Sequence, residues 1–111
     1  MSWVKEITPE QLAARLAGPP EQRPVLLDVR WPQEHRYVAL PGSILIPLDE
    51  LEARVHELDA FRGRELIVYC HHGVRSLTGA SICTAHGLEA ASLQGGIHLW
   101  ACERDPTMPR Y

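Results

Sequence analysis

The sequence predicts a single α/β domain in which a mostly parallel central sheet carries helices on both faces. Short apolar, β-branched runs alternate along the chain with segments whose apolar residues recur at helical spacing, as in strands joined by crossover helices. Two of the runs, 25–29 and 66–69, are almost continuously apolar, which is typical of strands covered on both faces. The 111 residues are enough for one modest core, so we expect one domain over 1–111.

The start of the chain predicts a strand, a helix and a second strand. Residues 4–7 alternate apolar and polar side chains and indicate a short strand. Thr8, Pro9 and Gln11 form a helix start signal, with Thr8 at the N-cap and Gln11 placed to complete a capping box. A Gly-Pro-Pro run ends this helix before the apolar strand 25–29.

The middle of the chain predicts a short helix, a brief strand and a longer helix. The helix covers 31–37, and the strand covers 44–46 after a Pro-Gly turn. Through 48–58, leucine and valine recur at helical spacing with acidic residues between them. This segment therefore predicts one amphipathic helix with its acidic side facing water.

The remaining elements are strand 66–69, helix 76–86, strand 90–93 and a short helix 97–101. Gly87 stands where a helix C-terminus favours glycine, and a Gly-Gly turn separates the last strand from the last helix. The segment 105–111 holds two prolines, so we expect it to be irregular and either to pack on the body or to fray.

The composition excludes several classes of protein. The net charge is -3 and the chain has a single lysine, so no basic surface for nucleic acid is predicted. No apolar run reaches membrane-spanning length, and no secretion signal is recognised at the start, so we expect no membrane contact. The three cysteines are too few for a disulfide scaffold and match no zinc spacing, so free thiols in the cytoplasm and no metal are expected.

The segment that follows strand 66–69 indicates the chemistry. Cys70 stands at the carboxyl end of that strand, where ligands bind in parallel sheets, and a short loop leads from it into helix 76–86. Amides of such a loop and the positive end of the helix stabilise an anion. We therefore predict that Cys70 is a reactive, nucleophilic thiol and that the loop binds an anionic substrate. The loop residues are His71, His72, Gly73, Val74 and Arg75.

Several segments, taken in order, resemble the rhodanese-like domain family of single-domain sulfurtransferases. They are Leu27-Asp28-Val29-Arg30, Glu34 seven residues before Pro41, Leu40-Pro41-Gly42-Ser43, Ile46-Pro47, residues 70–76, and Leu93-Gln94-Gly95-Gly96 with Trp100. The Pro-Arg-Tyr ending is also similar to bacterial single-domain members. The resemblance covers nearly the whole chain. One departure is that Val38 and Ala39 stand where the family often has Gly-His.

The resemblance implies a sulfurtransferase that needs no cofactor. Cys70 would take the outer sulfur of thiosulfate or a similar donor, release sulfite, and pass the sulfur from its persulfide to cyanide or a thiol acceptor. One alternative is a persulfide carrier or interaction module that serves a protein thiol partner. Another is a phosphatase-like or arsenate-reducing enzyme. Related phosphatases have five residues between cysteine and arginine, whereas four separate Cys70 from Arg75, and the shorter loop favours a single sulfur atom.

Supporting roles are expected for Asp28, Arg30 and Glu34. Asp28 follows a buried strand and should hydrogen-bond to nearby backbone, while Arg30 either pairs with Glu34 or lines the mouth of the site. Arg75 either binds the sulfonate part of the donor or fixes the loop through a carboxylate. The loop histidines supply backbone amides, or alternatively add positive charge or move a proton.

The other thiols and the tryptophans are expected to pack. Cys83 is interpreted as a small buried residue of helix 76–86. Cys102 is either an unreactive packed or surface residue or a resolving thiol for the persulfide. Trp3, Trp31 and Trp100 are predicted packing residues, with Trp31 or Trp100 as alternative walls of the pocket.

Overall fold

Five parallel strands form one sheet in the order β1-β5-β4-β2-β3 in the computed structural model, which describes residues 4–111. The strands are β1 (Glu6–Ile7), β2 (Val25–Asp28), β3 (Ile44–Leu45), β4 (Glu65–Tyr69) and β5 (Glu89–Leu93). All four pairings are parallel, and β4 lies in the middle between β5 and β2. The predicted α/β class with a parallel sheet is confirmed.

Within residues 4–111, four α-helices connect consecutive strands, a fifth follows β5, and two 3₁₀ segments accompany them. The α-helices are α1 (Pro9–Leu16), α2 (Pro32–Tyr37), α3 (Leu48–Arg54), α4 (Arg75–Ala85) and α5 (Gly96–Glu103). The 3₁₀ segments are Pro20–Gln22 and Val55–Phe61. At the first helix the capping box is present as predicted, because Thr8 Oγ1 accepts from the Gln11 amide at 3.1 Å and Gln11 Oε1 accepts from the Thr8 amide at 2.9 Å.

The prediction of a single helix over 48–58 is wrong. The α-helix ends at Arg54, and a 3₁₀ segment continues to Phe61. The apolar residues of this segment recur every three residues, which is the period of a 3₁₀ helix. They are Val55, Leu58 and Phe61, and their side chains pack in the same hydrophobic cluster. The tighter winding keeps these apolar side chains on one line against the sheet.

The alternation of side chains along β4 divides the core into two layers. Leu66 and Val68 point to the layer that α3 and α4 cover, whereas Ile67 and Tyr69 point to the layer of α1 and α5. Buried residues from those helices complete each layer; they are Leu51, Ala80 and Cys83 on one side and Leu12 and Ile97 on the other. Helices therefore cover both faces of the sheet, as predicted.

The segment after α5 packs on the body, which decides between the two predicted alternatives. Met108 contacts the core layer of α1 and α5, and the phenol of Tyr111 hydrogen-bonds to Arg30 and Glu34. Trp100 packs against the same layer, whereas Trp31 is half exposed and Trp3 lies outside the described residues. None of the helices in the described part of the chain has the length and hydropathy to cross a bilayer.

Candidate active site

The sulfur of Cys70 lies where the middle strand ends. Its Sγ accepts hydrogen bonds from the backbone amides of Gly73 at 3.1 Å and Ser76 at 3.3 Å. The residue is only 1% exposed, so these amides approach a sulfur that is almost shielded from water. Together with the amino terminus of α4, they stabilise negative charge on Sγ. The surroundings of Cys70 are thus those of an anion-binding site. The observed donors are the Gly73 amide of the predicted loop and the Ser76 amide just beyond it.

Two buried serines extend this environment, and neither was predicted from the sequence. Ser76 Oγ lies 3.4 Å from the Cys70 sulfur and 2.7 Å from Ser92 Oγ, and both serines are fully buried. Ser92 reaches this place because β5 pairs with β4 in a register that sets Ser92 opposite Val68. A signal existed in the sequence, because Ser92 is a polar residue inside an otherwise apolar strand, where a partner is needed.

The amino terminus of α5 sets the orientation of the loop backbone. The amides of Ile97 and His98 donate to the carbonyl oxygens of Cys70 at 2.9 Å and His71 at 3.0 Å. Gly96 allows this approach, because a Cβ there would stand 2.6 Å from the Cys70 oxygen and closer still to that of His71. The φ of Gly96 is +62°, in the left-handed region that favours glycine. The sequence predicted only a turn here and missed this contact.

Arg75 fixes the loop through a carboxylate, which was one of its two predicted roles. Its guanidinium binds Glu34 of α2 through two hydrogen bonds of 2.9 and 3.1 Å. Burial by itself would raise the pKa of Glu34, but hydrogen bonds from Arg75, the Trp31 amide and the Tyr111 phenol lower that pKa to about 2. Glu34 therefore stays ionised at neutral pH and keeps the guanidinium engaged.

Asp28 and Arg30 form a fully buried ion pair beneath the loop. Arg30 Nε and Nη2 donate to the two oxygens of Asp28 at 2.8 and 2.7 Å, and the Arg30 amide donates to the same carboxylate at 3.0 Å. The predicted backbone bond of Asp28 is thus present. Arg30 neither pairs directly with Glu34 nor lines a mouth, because it is 0% exposed and reaches Glu34 only through the Tyr111 hydroxyl. Both residues hold the scaffold of the site.

The two loop histidines meet a third one from α5. The His71 ring stacks on Tyr111 with centroids 3.8 Å apart, and its partial burial lowers the pKa of its imidazole. His72 is exposed. His98 lies against both rings, with its centroid 4.9 Å from that of His72 and 6.0 Å from that of His71. No local sequence pattern points to His98, because only the docking of α5 on the loop brings it here.

The remaining thiols differ in their surroundings. Cys83 is 0% exposed within α4, and burial raises its pKa to about 11, which fits the predicted structural role. Cys102 is exposed, and its Sγ lies 3.8 Å from His98 Nε2. Of the two candidate tryptophan walls, Trp31 lines a cavity of about 200 Å³ beside Arg75. Trp100 lines a cavity of about 730 Å³ whose lining includes none of residues 70–76.

Comparisons with known proteins place these features in a family context. The profile described as "Rhodanese-like domain" matches residues 8–103. The thiosulfate sulfurtransferase GlpE of Pseudomonas syringae is 33% identical over 101 residues, which cover 90% of each chain. The probable adenylyltransferase/sulfurtransferase MoeZ of Mycobacterium tuberculosis is 34% identical over 106 residues, which cover 95% of this chain and 26% of MoeZ. The chain thus spans about a quarter of the length of such relatives.

A solved structure gives the same match in three dimensions. The rhodanese-related protein from Thermoplasma volcanium superposes with a TM-score of 0.79 at 29% sequence identity. The alignment covers 90% of this chain and 93% of that one. The similarity therefore extends over most of the fold.

The buried ion pair makes a first prediction. Asp28→Ala leaves the Arg30 guanidinium buried without its carboxylate, and removing one partner of a buried pair costs about 3–5 kcal/mol. We expect the free energy of unfolding in urea to fall by that amount. Glu52→Ala is the control, because Glu52 is an exposed residue of α3 and should shift the value by no more than about 0.5 kcal/mol. Equal losses in the two variants would contradict the assigned role of the pair.

The contact between Gly96 and the loop makes a second prediction. Gly96→Ala adds both strain at φ +62° and a collision with the carbonyls of Cys70 and His71. Gly63→Ala is a matched control, because Gly63 has φ +86° and a Cβ there meets nothing within 4 Å. We expect the first variant to lose more unfolding free energy than the second and to shift the amide NMR signals of residues 71–73. Unchanged loop signals in folded Gly96→Ala would disprove the contact.

Proposed function

This chain belongs to the rhodanese-like domain family, and on that premise we propose that it is a sulfurtransferase that carries a sulfane sulfur on Cys70. The observation that carries the proposal is the geometry at Sγ. Two backbone amides point at this sulfur at 3.1 and 3.3 Å from a loop at the carboxyl edge of the sheet. Such donors stabilise a thiolate, which is the nucleophilic form of cysteine.

In the first half-reaction we propose that the Cys70 thiolate attacks the outer sulfur of thiosulfate. A new S–S bond forms between Sγ and that sulfur, while the S–S bond of thiosulfate breaks and its electron pair leaves with sulfite. The product is a Cys70 persulfide anion. The name of the relative GlpE, a thiosulfate sulfurtransferase, supports thiosulfate as the donor to test first.

The loop offers donors for the second sulfur as well. The backbone amides of His72, Val74 and Arg75 make no hydrogen bond with any residue between 4 and 111. Amides in the first turn of a helix have no intrahelical partner, and an anion at that end satisfies them. We propose that these free amides hold the terminal sulfur of the persulfide. This sulfur carries the negative charge and lies one bond beyond Sγ.

In the second half-reaction an acceptor removes the terminal sulfur. Cyanide or a thiolate attacks that sulfur, the persulfide S–S bond breaks, and the electron pair returns to Sγ as thiolate. With cyanide the product is thiocyanate, and with a thiolate it is a new persulfide. No metal or organic cofactor is needed for either bond exchange. The cycle does require Cys70 to be a free thiol, so the proposal includes a reducing compartment such as the cytoplasm.

We do not propose a phosphatase or an arsenate-reducing enzyme. A phosphoryl group spreads its charge over three oxygens and needs a cationic or amide-lined cradle of that width. Here the Gly73 amide already bonds to Sγ, and Glu34 holds the Arg75 guanidinium in two hydrogen bonds. Four loop residues separate Cys70 from Arg75, and this short span fits one sulfur atom better than a phosphate.

The carrier role is a second candidate, favoured by one observation. The chain matches only about a quarter of the length of relatives whose names combine adenylyltransferase with sulfurtransferase. In such a setting a rhodanese-like domain would exchange sulfur with a protein partner, and the Cys70 persulfide would be the same. The two candidate functions differ only in whether a small molecule or a protein donates and accepts the sulfur.

The proposed persulfide is tested directly on the protein. We expect incubation with thiosulfate to add one sulfur atom to the intact mass, to place that sulfur on Cys70 by peptide mapping, and to produce thiocyanate when cyanide is added. Cys70→Ser should abolish both results. Cys102→Ser removes an exposed thiol and should leave both unchanged. Persistent sulfur loading or turnover in Cys70→Ser would refute the assignment.

The donor preference separates the enzyme from the carrier. As a small-molecule enzyme, the protein should show saturating thiosulfate kinetics, with a KM of at most about 1 mM as is common for enzymes. Stopped-flow transfer from a persulfidated protein donor is the comparison. A kcat/KM for the protein donor that exceeds the thiosulfate value by a hundredfold or more would overturn the thiosulfate assignment in favour of the carrier.

A further inference from the structure

Three imidazole rings meet beside the loop that holds Cys70. His71 and His72 belong to the loop, and His98 lies in the first turn of α5. Each histidine offers one ring nitrogen to the cluster, and these three nitrogens all lie within 4.8 Å of one another. These are close enough to converge on a single small ligand.

The backbone holds this cluster together. The His98 amide donates to the His71 carbonyl at 3.0 Å, which fixes the start of α5 against the loop. The rings of His71 and His72 have centroids 3.9 Å apart, and those of His72 and His98 stack at 26°. The juxtaposition is therefore built by the same contact that orients the sulfur loop, and does not depend on flexible surface side chains alone.

Two nitrogens of the cluster are buried without a partner. Within residues 4–111, neither Nε2 of His71 nor Nδ1 of His98 makes a hydrogen bond, although both atoms are shielded from solvent. A buried polar atom left unpaired is destabilising, because it has lost its hydrogen bonds to water. The two nitrogens belong to two of the three clustered histidines, one in the loop and one in α5, so a bound species that reaches both would supply the missing partner.

We propose that His71, His72 and His98 form a binding site for a divalent transition-metal ion of the zinc class. Imidazole nitrogens suit Zn²⁺, Co²⁺, Ni²⁺ and Cu²⁺, whereas Mg²⁺ and Ca²⁺ prefer oxygen ligands. The cluster found among the described residues consists of histidines alone, so its donor set selects the first group. Three protein nitrogens leave a fourth tetrahedral position open.

Only a small movement closes the site. With Zn–N bonds of about 2.0–2.1 Å, nitrogens of a tetrahedral site stand roughly 3.3 Å apart. The present limit of 4.8 Å exceeds that spacing by an amount that a side-chain rotation supplies. His72 is the ring that is free to turn, because its side chain is exposed whereas His71 and His98 are partly buried.

The test measures metal binding and not sulfur transfer, so it stands or falls apart from the proposed function. The probe is Co²⁺, followed by visible absorption, and then Zn²⁺, followed by calorimetry, on tag-free full-length protein. Cys70→Ser/Cys102→Ser is the background, because a thiolate would otherwise compete as a ligand. We expect one equivalent of Co²⁺ to bind with the intense visible bands of a tetrahedral site, and Zn²⁺ to displace it.

The variants locate the site. Loss of a residue that hydrogen-bonds to a metal ligand weakens metal affinity by about 10–100-fold, so loss of a ligand itself in His98→Ala should weaken it by about 100-fold or more. His56→Ala removes an exposed histidine of the segment Val55–Phe61 and should leave the affinity unchanged. Equal affinity in His98→Ala and the parent, or no saturable binding in the parent, would overturn the proposal.

A measurement without the histidine substitution guards against misfolding of His98→Ala. Long-range ¹H–¹⁵N NMR reports the ring nitrogens of each histidine in the parental background. Addition of Zn²⁺ should shift the ring nitrogens of His71, His72 and His98 together and leave those of His56 in place. Shifts confined to other histidines would refute the assignment of this cluster.

Discussion

The chemistry of the candidate site depends on the direction of the peptide groups that follow Cys70. A peptide can turn its N–H toward the sulfur only if its buried carbonyl finds a partner elsewhere. The first amides of α5 are that partner for the two peptides that begin the loop, because the Ile97 and His98 amides donate to the carbonyls of Cys70 and His71. The N–H groups of these two peptides belong to His71 and His72, so the contact fixes the loop just before the Gly73 amide that bonds to Sγ. Gly96 is therefore as much a part of the site as the loop itself, since any side chain there would push α5 away and release those carbonyls.

The charges behind the loop are paired among themselves, which determines where anion stabilisation comes from. Glu34 neutralises Arg75, and Asp28 neutralises Arg30, while the Tyr111 hydroxyl accepts from Arg30 and donates to Glu34. With the pKa of Glu34 lowered to about 2, this arrangement persists throughout the neutral range. A sulfonate would have to compete with an ionised carboxylate for Arg75. Backbone dipoles, and not the arginines, are therefore the groups directed at the Cys70 sulfur, and the arginines brace the loop and the strand end.

How much of this could be predicted from the sequence depends on whether the signal was local. Neighbouring residues alone specify the strands, the capping box of α1 and the loop after Cys70. Hydrophobic periodicity and cap chemistry therefore predicted them. Ser92, His98 and Gly96 act on the sulfur loop only through strand register and helix docking, which no local pattern encodes. The 3₁₀ segment after α3 was missed for a different reason, because a spacing of three fits one turn of either kind of helix.

The two buried thiols show that burial alone does not decide the reactivity of a cysteine. Cys70 is 1% exposed and Cys83 is 0% exposed. Apolar surroundings raise the pKa of Cys83 to about 11, and no hydrogen bond to its sulfur is found among residues 4–111. Cys70 has two amides directed at its sulfur and a serine hydroxyl close by. The shielding that raises the pKa of Cys83 makes each of these dipoles more effective at Cys70, since water does not screen them. It also restricts access to the sulfur to slender groups, and the sulfane sulfur, cyanide ion and thiol of the proposed reaction all have that shape.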